Sequence, residues 1–169
     1  MAENAYKLYS HLSAGKTTRF DEKLIHILRC AARAFAHSGF EKTSIRQIAA
    51  AAGVSLAGLY YYVASKDELL FLIQYHTFRS LVENLERIIR DPAPPERQLR
   101  RMIEAHVNYL VEHLPELTVC TRELRSLGGE FYERVLRIRQ RYFDLTRQIL
   151  KRMAAECGAR LDVNLATLY

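Results

Sequence analysis

Apolar residues recur at three-and-four spacing along most of the chain, and the breaks in that rhythm mark the elements. Leu24, Ile25, Leu28, Ala31, Ala32 and Phe35 make one stripe, which predicts a first helix from Asp21. Gly39 stops it, with Phe40 as the hydrophobic contact just past the cap. Thr43 and Ser44 are capping residues for a short helix from Ile45 to Ala52, which Gly53 breaks. Ser55 caps a third helix through Leu59 to Tyr62, and Ser65 a long fourth one with Asp67 and Glu68 in its first turn. The segment Asp91-Pro92-Ala93-Pro94-Pro95 is the clearest interruption. Beyond it, Leu99, Met102, Ile103, His106, Val107 and Leu110 predict a fifth helix, and a sixth runs from Pro115 to about Leu127. A seventh, from Glu130 to about Glu156, turns Phe131, Val135, Ile138, Tyr142, Leu145, Ile149 and Met153 inward. No segment sustains alternation, so the fold class is all-α.

The pattern divides the chain of 169 residues into a polar N-terminal arm (1–20), a three-helix unit (21–66) and a helical bundle (67–169). With 49% hydrophobic residues the chain can bury a substantial core. The net charge of +6 permits an anionic partner. The excess is denser in residues 1–67, where nine basic side chains face five acidic ones. No run approaches the length of a membrane span, and the polar N-terminus lacks the apolar core of a signal peptide, so a cytoplasmic protein with no membrane partner is expected. Cys30, Cys120 and Cys157 show no pairing pattern and are read as buried or partly buried thiols. His26 and Cys30 lie one helical turn apart, but two ligands do not make a metal site. With no nucleophile–base constellation, phosphate loop or cofactor motif, the sequence argues against an enzyme and calls for no cofactor.

The stretch from Thr43 to Lys66 carries the chemistry. Two short helices joined at a glycine make a helix-turn-helix. Ala49 is small enough for the helices to cross closely, Gly53 suits a left-handed turn, and Ile48, Val54 and Leu59 fill the angle between them. The second helix would enter a major groove by its N-terminal end, presenting Leu56, Ala57, Gly58, Tyr60, Tyr61 and Tyr62. Tyrosines offer hydroxyls to phosphates and rings to thymine methyls, and Lys66 stands where it can reach a phosphate. Three consecutive tyrosines cannot all face inward on one helix, although Tyr61 taken alone is as well suited to packing.

The run Gly53-Val54-Ser55 followed by Leu59-Tyr60-Tyr61-Tyr62 and Ser65-Lys66-Asp67-Glu68-Leu69-Leu70 resembles the signature of TetR-family repressors. So does Ala34-Phe35-Ala36, with Gly39-Phe40, Thr43-Ser44-Ile45-Arg46 and Ile48-Ala49, ahead of it. The resemblance implies an N-terminal three-helix DNA-binding domain, a larger ligand-binding bundle and a homodimer on palindromic operator DNA. It places DNA contacts on Thr43, Ser44, Arg46, Leu56, Ala57, Gly58, Tyr60, Tyr62 and Lys66, to which the helix pattern adds Ser55 and Tyr61. Leu56 and Gly58 stand where the family commonly has polar residues, which shifts base readout toward Arg46 and the tyrosines.

The second half reads as a sensor of a small-molecule effector. His106, Tyr109, Arg122, Arg125, Tyr132 and Tyr142 are candidates for a wall mixing polar and apolar groups. The segment Glu123 to Arg134, with Ile138 to Tyr142, is loosely similar to TetR-family members that answer to fatty-acyl or steroid-derived coenzyme A thioesters. Arg134, Arg137, Arg139, Arg141 and Arg147 suit a phosphate-bearing ligand and equally suit a solvated helix face. The resemblance implies dimerisation through helices after the seventh, and only Asp162 to Tyr169 follow here, so either the bundle is truncated or the dimer seam lies elsewhere. A second class of function, a helical adaptor binding another protein and keeping a vestigial helix-turn-helix, is disfavoured by the intact Arg46, Tyr60, Tyr62 and Lys66.

Overall fold

Thr18 begins the first helix in the computed structural model, which describes residues 18–158. Its hydroxyl accepts the Asp21 amide at 3.2 Å, and the Asp21 carboxylate accepts the Thr18 amide at 2.8 Å. This reciprocal cap starts α1 (Arg19–Ser38) two residues earlier than the apolar stripe alone predicts. Gly39 ends it at φ 83°, a left-handed conformation open to glycine, and the Phe40 ring packs at 5.2 Å on that of Phe35. Then come α2 (Ile45–Ala51) and α3 (Leu56–Tyr62), capped by the hydroxyls of Ser44 and Ser55. The turn between them passes through Gly53 at φ 63°.

The long α4 (Lys66–Arg90) leaves the three-helix unit and runs along α7 (Gly129–Glu156). Between them in sequence lie α5 (Pro95–Glu112) and α6 (Leu114–Arg122). The predicted sixth helix stops at Arg122, and a 3-10 turn at Leu124–Ser126 carries the chain toward α7. No strand occurs among the described residues.

Two apolar clusters form the core. One unites α1, α2, α3 and the first turns of α4 through Ile27, Phe35, Ile48, Leu59, Leu69 and Phe71, and reaches Val119 and Val135 of the bundle. The other, around Phe78, Leu85, Tyr142 and Ile149, joins α4 to α6 and α7. At the proline break the buried Gln98 amide donates to the carbonyls of Ile88, Ile89 and Asp91, satisfying the end of α4.

The cysteine expectation needs one correction. Cys120 is buried and Cys30 partly so, but Cys157 is exposed, because it follows the last packed residue of α7, Ala154. Cys30 Sγ lies 3.8 Å from His26 Nε2, and no group of three metal-ligating side chains occurs among the described residues. None of the described helices is long and apolar enough to cross a membrane. Most of the arm (1–17) and the segment from Asp162 lie outside the described residues.

Candidate nucleic-acid interface and a junction cavity

Helices of seven residues do not persist alone in water, so α2 and α3 are held by what they bury and by their caps. Ile48 and Leu59 are fully buried, and Ala49 is buried where the two helices cross. Ser44 is locked in a capping box with Gln47: its hydroxyl accepts the Gln47 amide, and its own amide donates to Gln47 Oε1 at 2.7 Å. Ser55 Oγ accepts the Gly58 amide at 2.9 Å. A Cβ on Gly58 would stand 3.1 Å from that oxygen, so the missing side chain leaves the cap undisturbed. On the outside, Ser44, Arg46, Ser55, Ala57, Tyr60 and Tyr61 are exposed, and Leu56 and Gly58 partly so.

Of the three tyrosines, Tyr61 is 74% and Tyr60 49% exposed, while Tyr62 leans on the Phe20 ring at 4.6 Å. Phe20 also meets Tyr61 edge-on at 5.6 Å. The sequence pattern assigns Phe20 to the arm; the Thr18 cap draws it into α1 and makes it the brace of the tyrosine run.

A shallow groove of about 440 Å³ brings Thr43, Ser44, Tyr60 and Lys66 together, with Lys42 on the same wall. Thr43 contributes little of its side chain to that surface. It is 3% exposed, and its hydroxyl donates to the carbonyl of Gly39 at 2.8 Å, with Ala34 O at 3.3 Å. Its hydroxyl is therefore spent on holding the turn, although the residue still borders the groove. Lys66 Nζ donates to Phe40 O at 3.0 Å and sits 4.2 Å above the Phe40 ring, so its charge is anchored at the groove rather than swinging free.

The same turn is bound from the other side. Glu123, at the end of α6, accepts the Phe40 amide at 3.1 Å with one carboxylate oxygen and the Ser126 hydroxyl at 2.7 Å with the other. The buried Gln74 amide of α4 donates to the Glu123 carbonyl at 3.1 Å. Nothing in the sequence assigns Glu123 or Gln74 a contact with the turn at Phe40; each is a lone polar residue until the fold puts partners beside it.

The six residues expected to wall an effector site fall in different places: Tyr109 and Tyr142 pack in the second core cluster with His106 against Tyr142, while Arg122, Arg125 and Tyr132 lie elsewhere. His106 Nδ1 and the Tyr142 hydroxyl are 2.9 Å apart in the seam of α5 and α7. Tyr132 packs on the first core cluster, and Arg122 and Arg125 are exposed near the end of α6. Tyr109 alone lines an inward cavity of about 140 Å³ where α1 meets the bundle. Its walls are Ile25, Leu28 and Arg29 of α1, Ile73, His76, Thr77 and Ser80 of α4, Tyr109 and His113 of the α5 end, and Glu116 of α6. Burial holds the His76 imidazole down at about 4 and pushes the Tyr109 phenol and the Cys120 thiol up to about 12.

Most arginines of α7 are committed within the protein. Arg141 meets Glu86 at 2.9 Å and Arg147 meets Asp144 at 3.1 Å. Arg139 is buried, donating to Cys120 O at 3.0 Å over the Phe78 ring. Arg134 lies near Glu130 and above Phe71, and with Arg137, Tyr75 and Ile138 it borders an open cleft.

Two family models match the chain: the bacterial regulatory proteins of the tetR family over residues 27–73, and a tetracyclin repressor-like C-terminal domain over residues 92–169. The solved structure of the TetR-family transcriptional regulator PfmR from Thermus thermophilus is 34% identical, with a TM-score of 0.72 over 83% of this chain and 76% of that one. AibR, solved with isovaleryl coenzyme A and operator DNA, is 28% identical, with a TM-score of 0.70 over 84% of this chain and 77% of its own. The fatty acid metabolism regulator protein of Bacillus subtilis is 25% identical over 85% of this chain and 75% of its own length. The chain spans from about a third to three quarters of the curated relatives it matches.

Proposed function

The chain belongs to the TetR family of bacterial regulatory proteins, and on that premise we propose that it is an operator-binding transcriptional repressor released by a coenzyme A thioester. The observation that carries the DNA-binding half is the exposed face of α2 and α3 beside the groove that holds Ser44, Tyr60 and Lys66. In this reading α3 enters the major groove. Ser55, Leu56, Ala57, Gly58, Tyr60 and Tyr61 meet DNA there, Arg46 reads bases from α2, and Ser44 and Lys66 take backbone phosphates. Tyr62 supports the run from behind on Phe20. Residues 21–66 are the DNA-binding unit and 67–169 the effector unit. A homodimer sets two such faces about 34 Å apart on an inverted repeat.

The thioester assignment draws support from the isovaleryl coenzyme A complex of the similar AibR. A ligand releases DNA only by favouring a conformation that does not fit both half-sites. The Glu123 bond to Phe40 gives such a conformation a path to the helix-turn-helix. Selection from random duplexes with the full-length protein tests the reading. An enriched inverted repeat is expected, and Arg46→Ala should lose discrimination at particular base pairs by about 1–3 kcal/mol each. Recovery of no repeat would remove the regulator reading; an unchanged base preference would remove Arg46 as reader.

A further inference from the structure

We infer that the cavity where α1 meets α4, α5 and α6 receives the acyl end of the effector, and that it admits only a short neutral acyl group of about six carbons or fewer. The inference deepens the thioester reading above and rests on it.

Size is the first argument. At about 140 Å³ the cavity matches the roughly 150 Å³ cavity that takes benzene in a helical protein, and a sixteen-carbon chain exceeds it severalfold. Chemistry is the second. Ile25, Leu28 and Ile73 provide an apolar floor, while the Tyr109 hydroxyl, hydrogen-bonded to Thr77 and Ser80, is a donor for a single acceptor such as a thioester carbonyl. Arg29 and Glu116 bring one charge of each sign, and burial keeps His76 neutral near pH 7. Arg29 is therefore offset by Glu116 and His76 is uncharged, so no arginine charge is left over to hold a carboxylate, which favours an acyl group over its free acid; His113 is the remaining basic side chain of the lining.

Position is the third. The cavity lies between the first helix of the DNA-binding unit and the three helices of the effector unit. An occupant fills it by touching α1 and α4 at once. Because protein interiors are close-packed, a group larger than the space is excluded, while one that fits fixes the spacing of α1 and α4 in the conformation it binds. The effector then acts on the orientation of α1 directly, through Ile25 and Leu28.

Fluorescence anisotropy of labelled operator, with the full-length protein and a series of butyryl-, hexanoyl- and palmitoyl-coenzyme A, reads the inference. Butyryl- and hexanoyl-coenzyme A should release operator at concentrations at least tenfold below palmitoyl-coenzyme A, with coenzyme A and butyrate ineffective. Ser80→Leu, which fills the cavity, should raise the half-release concentration of butyryl-coenzyme A tenfold or more and leave ligand-free operator binding unchanged. Ile25→Ala, which enlarges it, should move the preference toward longer chains. The second variant keeps the test decisive if the first does not fold. Release by palmitoyl-coenzyme A as readily as by the short thioesters, or no change of length preference in Ile25→Ala, overturns the inference and leaves the thioester reading standing. Release by no thioester overturns both.

Discussion

The N-terminal helices and the α5 segment are built on opposite terms. Each of α1, α2, α3 and α4 opens on a hydroxyl cap, from Thr18, Ser44, Ser55 and Ser65. Their apolar residues are almost all inside: Ile27, Ile48, Leu59 and Leu69 have no exposed surface. Helix α5 has no side-chain cap, and it leaves Ile103, Val107, Leu110 and Val111 in the open, with Leu114 just beyond. A DNA reader must keep one shape in every complex, and local caps plus a filled core provide that. A sensing bundle must change, and weaker local definition keeps the cost of changing low.

Three experiments test this contrast, beginning with the largest effect. Leu59→Ala should cost about 2–5 kcal/mol, because the side chain is enclosed where α3 meets α1 and α2. Val107→Ser, on the open face of α5, should change stability by less than about 0.5 kcal/mol. Denaturant unfolding of both variants measures the gap; equal losses would erase the contrast.

Acid is next. The folded-state pKa of His76 is lowered from 6.5 to about 4 by burial, opposed by Glu83 and reinforced by His113, Arg79 and Arg29. The unfolded chain thus binds the proton first. The stability that neutral His76 contributes is complete above pH 6.5 and is lost as the pH falls toward 4, on the order of 2 kcal/mol after allowing for solvent screening. Melting temperatures of the protein and of His76→Gln between pH 7.5 and 5 should converge as the medium acidifies. A constant difference would show that the imidazole is not the titrating group.

A smaller effect than that of acid is expected at Lys66→Ala, which removes the bond to Phe40 O and the contact with its ring. About 1 kcal/mol of stability should go, with a larger proportional loss of operator affinity at low salt than at high salt. Affinity measured across a salt series separates the two roles; a slope unchanged by the substitution would confine Lys66 to bracing.

The helices were legible because their signals are local. Ser55, Gly53 and the apolar positions Ile48 and Leu59 each announce their role within a few residues of sequence. Phe20 was misassigned because the apolar stripe starts at Leu24 and the Thr18–Asp21 cap carries no apolar residue. Thr43 looked like an exposed cap residue because sequence spacing does not reveal that its hydroxyl turns back to Gly39. The effector wall was the least legible part. His106, Tyr109, Tyr132 and Tyr142 are all aromatic and partly polar, and only three-dimensional packing decides that Tyr109 alone meets the junction cavity. Arg139 shows the same limit: an arginine on a basic helix is read as solvated until a carbonyl and a ring are found beside it.

The tie between Glu123 and Phe40 has a bearing on how such proteins can be recombined. The acceptor is a side chain, but the donor is a main-chain amide, which almost any residue at position 40 would supply. The DNA reader therefore specifies nothing by its own side chains to be gripped here. A foreign helix-turn-helix whose first helix ends in the same glycine turn would present the same N–H to the same carboxylate. At this bond the bundle carries the sequence requirement in one residue, so readers of different operators can be grafted onto it while Glu123 stays in place, provided that the α1 side chains packing toward Val119 and Val135 keep their apolar character.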